Sequence, residues 1–241
     1  MFLALAGTGW AQTADEVIAR NIATRGGAEK LHAIQTMLMT GTISFGESSS
    51  PITVQAKKPG KIREDFKVRQ VQVVRAFDGA TGWESEKEDA AAAKIEELKG
   101  GNLNNIQEEA ENAMEGPLLD YAKKGSRTEL LGKDTFVGKP VYKLKITTHI
   151  GTAITQFIDA ASYLEIHEEI ERSANGKLIT IVEDVGDYRD VDGAKFPHLF
   201  VSGPPENPKA SRLQIDKMQL GAPIADDVFK MPGSSDGRLQ K

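Results

Sequence analysis

The chain has 241 residues, of which 39% are hydrophobic and 27% charged, with a formal net charge of −5. That balance fits a soluble globular protein, and no window approaches the ~20 apolar residues of a membrane-spanning helix. The acidic excess sets up no field that attracts nucleic acid or anionic headgroups, and the absence of cysteine excludes disulfides, thiolate catalysis and zinc–thiolate sites.

The start, MFLALAGTGWAQTADE, is a short apolar run followed by small residues. Gly9-Trp10-Ala11 is the small–any–small pattern that a signal peptidase reads, although the usual basic n-region is missing. Residues 1–11 are expected to be a signal-peptide remnant, with a buried N-terminal segment as the alternative, and residues 12–241 a single domain. Cleavage after Ala11 implies an exported, periplasmic protein. No cysteine follows that point, so the chain is not expected to be lipid-anchored.

From Ala14 to about Arg25, Val17, Ile18 and Ile22 recur at helical spacing behind Thr13, a plausible N-cap. Gly26-Gly27 breaks this helix, and a shorter turn follows through Leu31 and Ile34. The period then changes to two. Met37 to Phe45, Ile52 to Ala56, Ile62 to Val68, Val71 to Phe77 and the FDGATGWES stretch predict antiparallel strands in meander order. The basic KKPGKIR stretch reads as a hairpin tip at Pro59-Gly60. Asp89 to about Gly125, rich in Ala, Glu and Lys, predicts a helical insert split at Gly100-Gly101, with a further short helix started by Pro117.

Strands resume with VYKLKITTHI, TAITQFID, YLEIHEEIER, KLITIVEDV, KFPHLFV and RLQIDKMQL, and PIADDVFKMP closes with a brief helical turn. Asn175-Gly176 and Asp192-Gly193 are hairpin signals. Asp190, Asp192 and Gly193 also have the spacing of a calcium loop, but Tyr188 and Leu199 occupy two of its ligand positions, so a turn is expected and no metal. About eleven strands cannot lie flat. The predicted fold is mainly β with some α: an incomplete, half-open antiparallel β-barrel with helices covering the concave face. Covered apolar concavities are where hydrophobic ligands bind.

Signals for catalysis are weak. There is no G-x-S-x-G, Walker loop or G-x-G-x-x-G. HEEIE at His167 lacks the second His of a zinc motif, and Glu165, His167, Glu169 and Glu171 read as the wet face of a strand, opposite Leu164, Ile166 and Ile170. His32, His149 and His198 stand alone. No cofactor and no enzymatic activity are expected, with a hydrolase only a remote third reading. Ile62, Phe66 and Val68 alternate with charged neighbours, so one side of their strand faces an apolar interior. With Val73, Phe77, Trp83, Tyr142 and Leu144 they form the predicted wall of a hydrophobic ligand cavity. For Trp83 and its companions plain core is the other reading.

Several segments together resemble a known family: ADEVIARNIATRGGAEKLHAIQTMLMTGTISF, RAFDGATGWES, MEGPLLDYAKKG, VYKLKI, FIDAASYLEIHEE, VGDYRDVDGAKFPH and LQIDKMQLGAPIADDVFKMP. Their order, from Thr13 to Pro232, is similar to that of the bacterial outer-membrane lipoprotein-sorting (LolA-like) proteins, in particular their broad group of exported members. The resemblance implies a monomeric carrier whose partners are acyl chains of lipoproteins or lipids, exchanged with membrane-bound donor and acceptor proteins. A regulatory or scaffolding protein with a self-filled cavity is the alternative. The family's carriers use a basic side chain near the lid. Arg63 lies in a comparable early strand, but its alternation sets it opposite Ile62 and Phe66, and the resemblance assigns it no role.

Overall fold

The computed structural model describes residues 12–174 and 176–233. The signal-remnant expectation falls on residues outside this range, as does Asn175 of the first hairpin signal. Two helices open the chain, α1 (Ala14–Thr24) and α2 (Ala28–Ala33). Five strands follow as a meander, β1 (Thr36–Phe45), β2 (Ser48–Lys57), β3 (Lys61–Val68), β4 (Val71–Phe77) and β5 (Gly82–Glu88). The insert holds β6 (Lys94–Glu97) and α3 (Gly100–Asn112). Next come β7 (Arg127–Phe136), β8 (Lys139–Thr147), β9 (Ala153–Asp159), β10 (Glu165–Ala174) and β11 (Lys177–Gly186). The chain finishes with β12 (Arg189–Val191), β13 (Ala194–Phe196), β14 (Leu199–Gly203), β15 (Ser211–Leu220) and a 3₁₀ turn, Asp226–Phe229.

Thirteen strands form one antiparallel sheet in the order β6-β5-β4-β3-β2-β1-β15-β14-β11-β10-β9-β8-β7, and β12 and β13 pair separately. Among the described residues the sheet does not close: β6 and β7 are its two edges. It curls instead, because α3 touches β3, β4 and β5 on one side and β10 on the other. This is the expected half-open barrel, with more strands than the eleven predicted. The extra ones have physical reasons. β6 carries a helix-favouring sequence, but pairing Glu97 to Lys94 against Trp83 to Glu86 overrides that propensity, so the predicted helix over residues 89–99 is a turn and an edge strand. The helix begins at Gly100 rather than breaking there. No helix follows Pro117, only turns such as the one in which Gly125 N–H donates to Ala122 O. β7 is an edge strand with weak alternation. Pro197 splits KFPHLFV into β13 and β14, since it has no N–H to continue a ladder.

α1 starts as its sequence directs. The Thr13 side chain accepts from Glu16 N–H, while Glu16 accepts from Thr13 N–H at 2.9 Å, a complete capping box. At Asp192-Gly193 both residues have positive φ, 54° and 78°, and Val191 pairs with Ala194, so this is the two-residue hairpin turn that the dipeptide favours.

The N-terminal and C-terminal halves of the sheet meet where β1 pairs with β15, at a register shift between Thr40 and Gly41. A Cβ on Gly41 would land on the backbone carbonyl of Gln214 in β15. The seam therefore depends on glycine for close approach. Gly41→Ala is expected to destabilise the fold by about 1–3 kcal/mol through overpacking against backbone. Thermal or urea melting checks this, and an unchanged midpoint would contradict it.

Candidate ligand-binding site

The inner wall of the N-terminal half is apolar. Ile62 pairs with Phe77 and Phe66 with Val73, so these four share the face that α3 covers. Ile52 and Val54 of β2 continue it, and Ile106 and Ala110 of α3 pack on top. Val68, opposite Val71, sits half-buried at the edge of this cluster, and the rings of Phe45 and Phe66 are 6.2 Å apart. Tyr142 and Leu144 line the other half of the same concavity beneath α1: Tyr142 packs with Val17 and Ile158, Leu144 with Ile18 and Ile146.

Trp83 belongs elsewhere. Phe77 pairs with Gly82, so Gly82 takes the inward place and Trp83, paired with Ala76, points to the outer face. A one-residue offset reverses the face of a strand residue. A Cβ on Gly82 would meet Leu103 and Ile106 of α3, which confirms which side is inward. On the outside, Trp83 Nε1–H donates to Phe229 O at 2.8 Å beneath the 3₁₀ turn. Arg63 shares this outer face: its guanidinium lies 5.7 Å from the Trp83 ring centre, pairs with Asp65 and donates to Val228 O. Neither residue reaches the concavity.

The sequence reading missed the polar residues inside. Glu64, Arg75 and Glu84 form one cross-strand row on the inward face of β3, β4 and β5. Arg75 lies 3.2 Å from Glu64, 3.6 Å from Glu84 and 3.6 Å from Glu109 of α3. The other oxygen of Glu109 lies 3.5 Å from Arg172 of β10. Glu109 thus connects α3 to both sides of the curled sheet. Asn105 Nδ2–H donates to Ser173 O, and Glu108 is held by the Thr148 and Thr152 side chains. The signal for Glu64 was its position between Ile62 and Phe66 at period two. Nothing in the local sequence marked Glu109 or Arg172.

A second polar group lies on the far wall. A bulge between Glu165 and His167 turns Glu165 inward, away from the face on which alternation had placed it with His167. Gln156 Nε2–H donates to Glu165 at 2.9 Å and to Glu168 at 3.5 Å, and Glu168 pairs with Glu183 on β11. His167 faces outward but is not wet: it is buried, stacked 4.3 Å from the Phe136 ring and 2.8 Å from Asp184. Burial and repulsion from Glu109 push the Glu64 carboxyl up to about 7, with Arg75 opposing. Burial and the neighbouring Glu168 push Glu183 up to about 8, and burial holds Glu165 well above the usual carboxylate range.

Beside α3 runs a groove of about 420 Å³, within the range of small-molecule sites. Ala110 and Met114 form its floor. Its rim is ionic: Lys58 lies 2.6 Å from Glu115, Lys124 3.7 Å from Glu115, and His149 3.8 Å from Glu111.

An open sheet curled about a central helix, with an apolar wall beneath it, is a fold seen in solved structures. The chain is similar to a putative outer membrane lipoprotein-sorting protein domain from Vibrio parahaemolyticus (TM-score 0.56, 11% identity, 89% of this chain and 94% of that one). It is similar to a LolA superfamily protein from Nitrosomonas europaea (TM-score 0.57, 12% identity, 91% and 98%) and to a DUF1329 family protein from Desulfovibrio piger (TM-score 0.57, 10% identity, 91% and 98%). The chain therefore has the LolA-type fold that its sequence segments resemble. No family model and no curated protein matches the sequence.

The raised carboxyls set a pH dependence. An unfolded glutamate titrates near 4.5, while Glu64 and Glu183 hold their protons to about 7 and about 8 in the fold. Between these values the folded state binds more protons than the unfolded state, so stability present at low pH is lost as pH rises. The melting temperature is expected to fall from about pH 5 to about pH 8.5, and less steeply in Glu183→Gln. A melting temperature that rises across this window would contradict the assignment.

Proposed function

We propose that the protein binds the acyl chain of a lipid or lipoprotein between the inner wall and α3, and carries it through the periplasm between membrane-bound donor and acceptor proteins. The observation that carries this reading is a mismatch of faces. α3 (GGNLNNIQEEAEN) offers a narrow apolar stripe, Leu103, Ile106 and Ala110, to a much wider wall that extends through Met39, Ile43, Phe45, Val68, Val71 and Leu213. These outlying wall residues are only partly buried. The groove along Ala110 and Met114 continues the apolar surface beside the helix. The likeness to the Vibrio lipoprotein-sorting protein domain supports the same ligand class.

Acyl burial contributes about 0.8 kcal/mol per CH₂. A long chain therefore supplies on the order of 10 kcal/mol before the costs of ordering it and moving α3. Separating Glu109 from its arginines costs little net, because the freed charges regain hydration, and this is a small fraction of that gain. The interior carboxylates sit against arginines and one another, an arrangement suited to holding a lid rather than to activating a nucleophile, so we read a binder and not an enzyme. One observation favours a regulatory or scaffolding protein instead: Ile62, Phe66, Val73 and Phe77 are already buried under α3, so the site is closed by its own side chains.

Val68→Asp separates the two readings, because Val68 is half-buried and a carboxylate there keeps contact with water. The carrier reading expects a fluorescent fatty-acyl probe to bind the wild type and to bind Val68→Asp about tenfold or more weakly, with the melting temperature little changed. A wild type that takes up neither probe nor co-purifying lipid would overturn it.

A further inference from the structure

The inward face of the far wall is not uniformly apolar. One cross-strand row runs Leu144, Gln156, Glu168, Glu183, Ser202, Ser211 across β8, β9, β10, β11, β14 and β15. The rows on either side are mostly apolar: Ile154, Ile170 and Ile181 on one, and Ile158, Val185, Phe200, Leu213 and Ile43 on the other, into which the β10 bulge turns Glu165. A polar stripe between two apolar stripes, inside a barrel, needs a reason, since burying carboxylates without partners is costly.

Donors in this row are few: the Gln156 amide donates to Glu168, and Ser202 hydrogen-bonds Glu183. Gln156 is only 2% exposed. Its amide N–H₂ faces Glu165 and Glu168, and its Oε1 is buried with no hydrogen-bond partner. Glu165 Oε1 is buried and unpartnered as well. The charged and titratable groups facing the cluster are few. From β10 and β11 come Glu165, Glu168 and Glu183; from α3, Glu109; from the end of α1, Arg25; beside them, Arg172 and Tyr188. Arg172 lies 3.5 Å from Glu109 and also acts on Glu183, while Arg25 donates to Glu115 O at 2.7 Å and also acts on Glu165. Among the described residues four carboxylates, Glu109, Glu165, Glu168 and Glu183, thus face two guanidinium groups, and the unpartnered Gln156 and Glu165 oxygens ask for a donor that carries positive charge.

We propose that Gln156, Glu165, Glu168 and Glu183 form a subsite for a protonated amine, the ammonium headgroup of an amphiphile whose chain lies along the flanking apolar rows. This rests on the acyl-binding reading above and specifies its ligand. An ammonium supplies three donors and one charge, which matches the unpartnered Gln156 and Glu165 oxygens and offsets the carboxylate surplus. A carboxylate or phosphate headgroup would meet repulsion at the same place. Without the cation, the cluster holds protons instead, which accords with the high Glu183 pKa. Ammonium uptake therefore displaces protons and strengthens with pH.

The test uses the full chain and a displaceable fluorescent acyl probe, competed by dodecylammonium, dodecanoate and dodecanol below their micellar concentrations, with propylammonium as the chainless amine. Dodecylammonium is expected to bind about tenfold or more tightly than dodecanoate, with dodecanol between, and the gap to widen from about pH 6 to about pH 8. Glu168→Gln with Glu183→Gln, a shape-conserving pair, should abolish the preference, while Glu129→Gln on the exposed edge strand should leave it intact. Propylammonium should compete only weakly, because the chain supplies most of the affinity. Equal binding of the three dodecyl compounds, or a preference that survives the double substitution, would overturn the subsite while leaving acyl binding standing. Failure of the probe itself to bind would overturn both.

Discussion

Glu109 stands between Arg75 and Arg172, and the architecture turns on that position. The sheet cannot close, so its concave face must be covered by something other than sheet. α3 covers it, but α3 is mostly Asn, Gln and Glu and has little apolar surface with which to hold on. Charge does the holding instead. The contacts are long, 3.5 and 3.6 Å, and Arg172 Nε is buried without a hydrogen-bond partner. A half-buried ion pair of this kind adds little net stability, because desolvation offsets attraction, yet it fixes where the helix sits.

That combination shapes the dynamics. β1, β2 and β15 carry the long ladders that join the two halves of the sheet, β1 to β15 across the shift at Gly41. α1 is packed into the C-terminal half through Val17 and Ile18, with a full N-terminal cap. α3 has neither a side-chain cap at its start nor a broad buried stripe. It has less to lose by moving than α1, and it lies over a wide apolar surface. Elements that move for function are drawn from the least stable parts of a fold. In the proposed function this is the lid, and the ligand competes with the lid's own Ile106 and Ala110 for the wall.

Much of the fold was legible because strand alternation is a local signal. The first five strands, the Gly26-Gly27 break, the Thr13 cap and the Asp192-Gly193 turn all follow from residues within a few positions of one another. β6 was misread because its sequence favours helix and only the exposed edge of β5 makes it a strand. Trp83 was misassigned by one residue of register: the inward place went to Gly82, which the Leu103 and Ile106 side chains of α3 crowd. Glu165 was misassigned by a bulge that no local pattern announces. The charged bridge was invisible for a different reason. Arg75, Glu109 and Arg172 lie on a strand, a helix and a distant strand, and only the curl of the sheet brings them together.

Native-state hydrogen exchange tests the central claim most directly. If α3 is a lid held by charge over a wall it fills incompletely, its amides between Asn104 and Asn112 should exchange through a local opening, at a free energy well below that of β1 and β15. Weakening the bridge with Glu109→Gln should lower that opening energy further and leave the strands unchanged. Exchange of α3 only through global unfolding, with the same free energy as β1 and β15 in both proteins, would contradict the account.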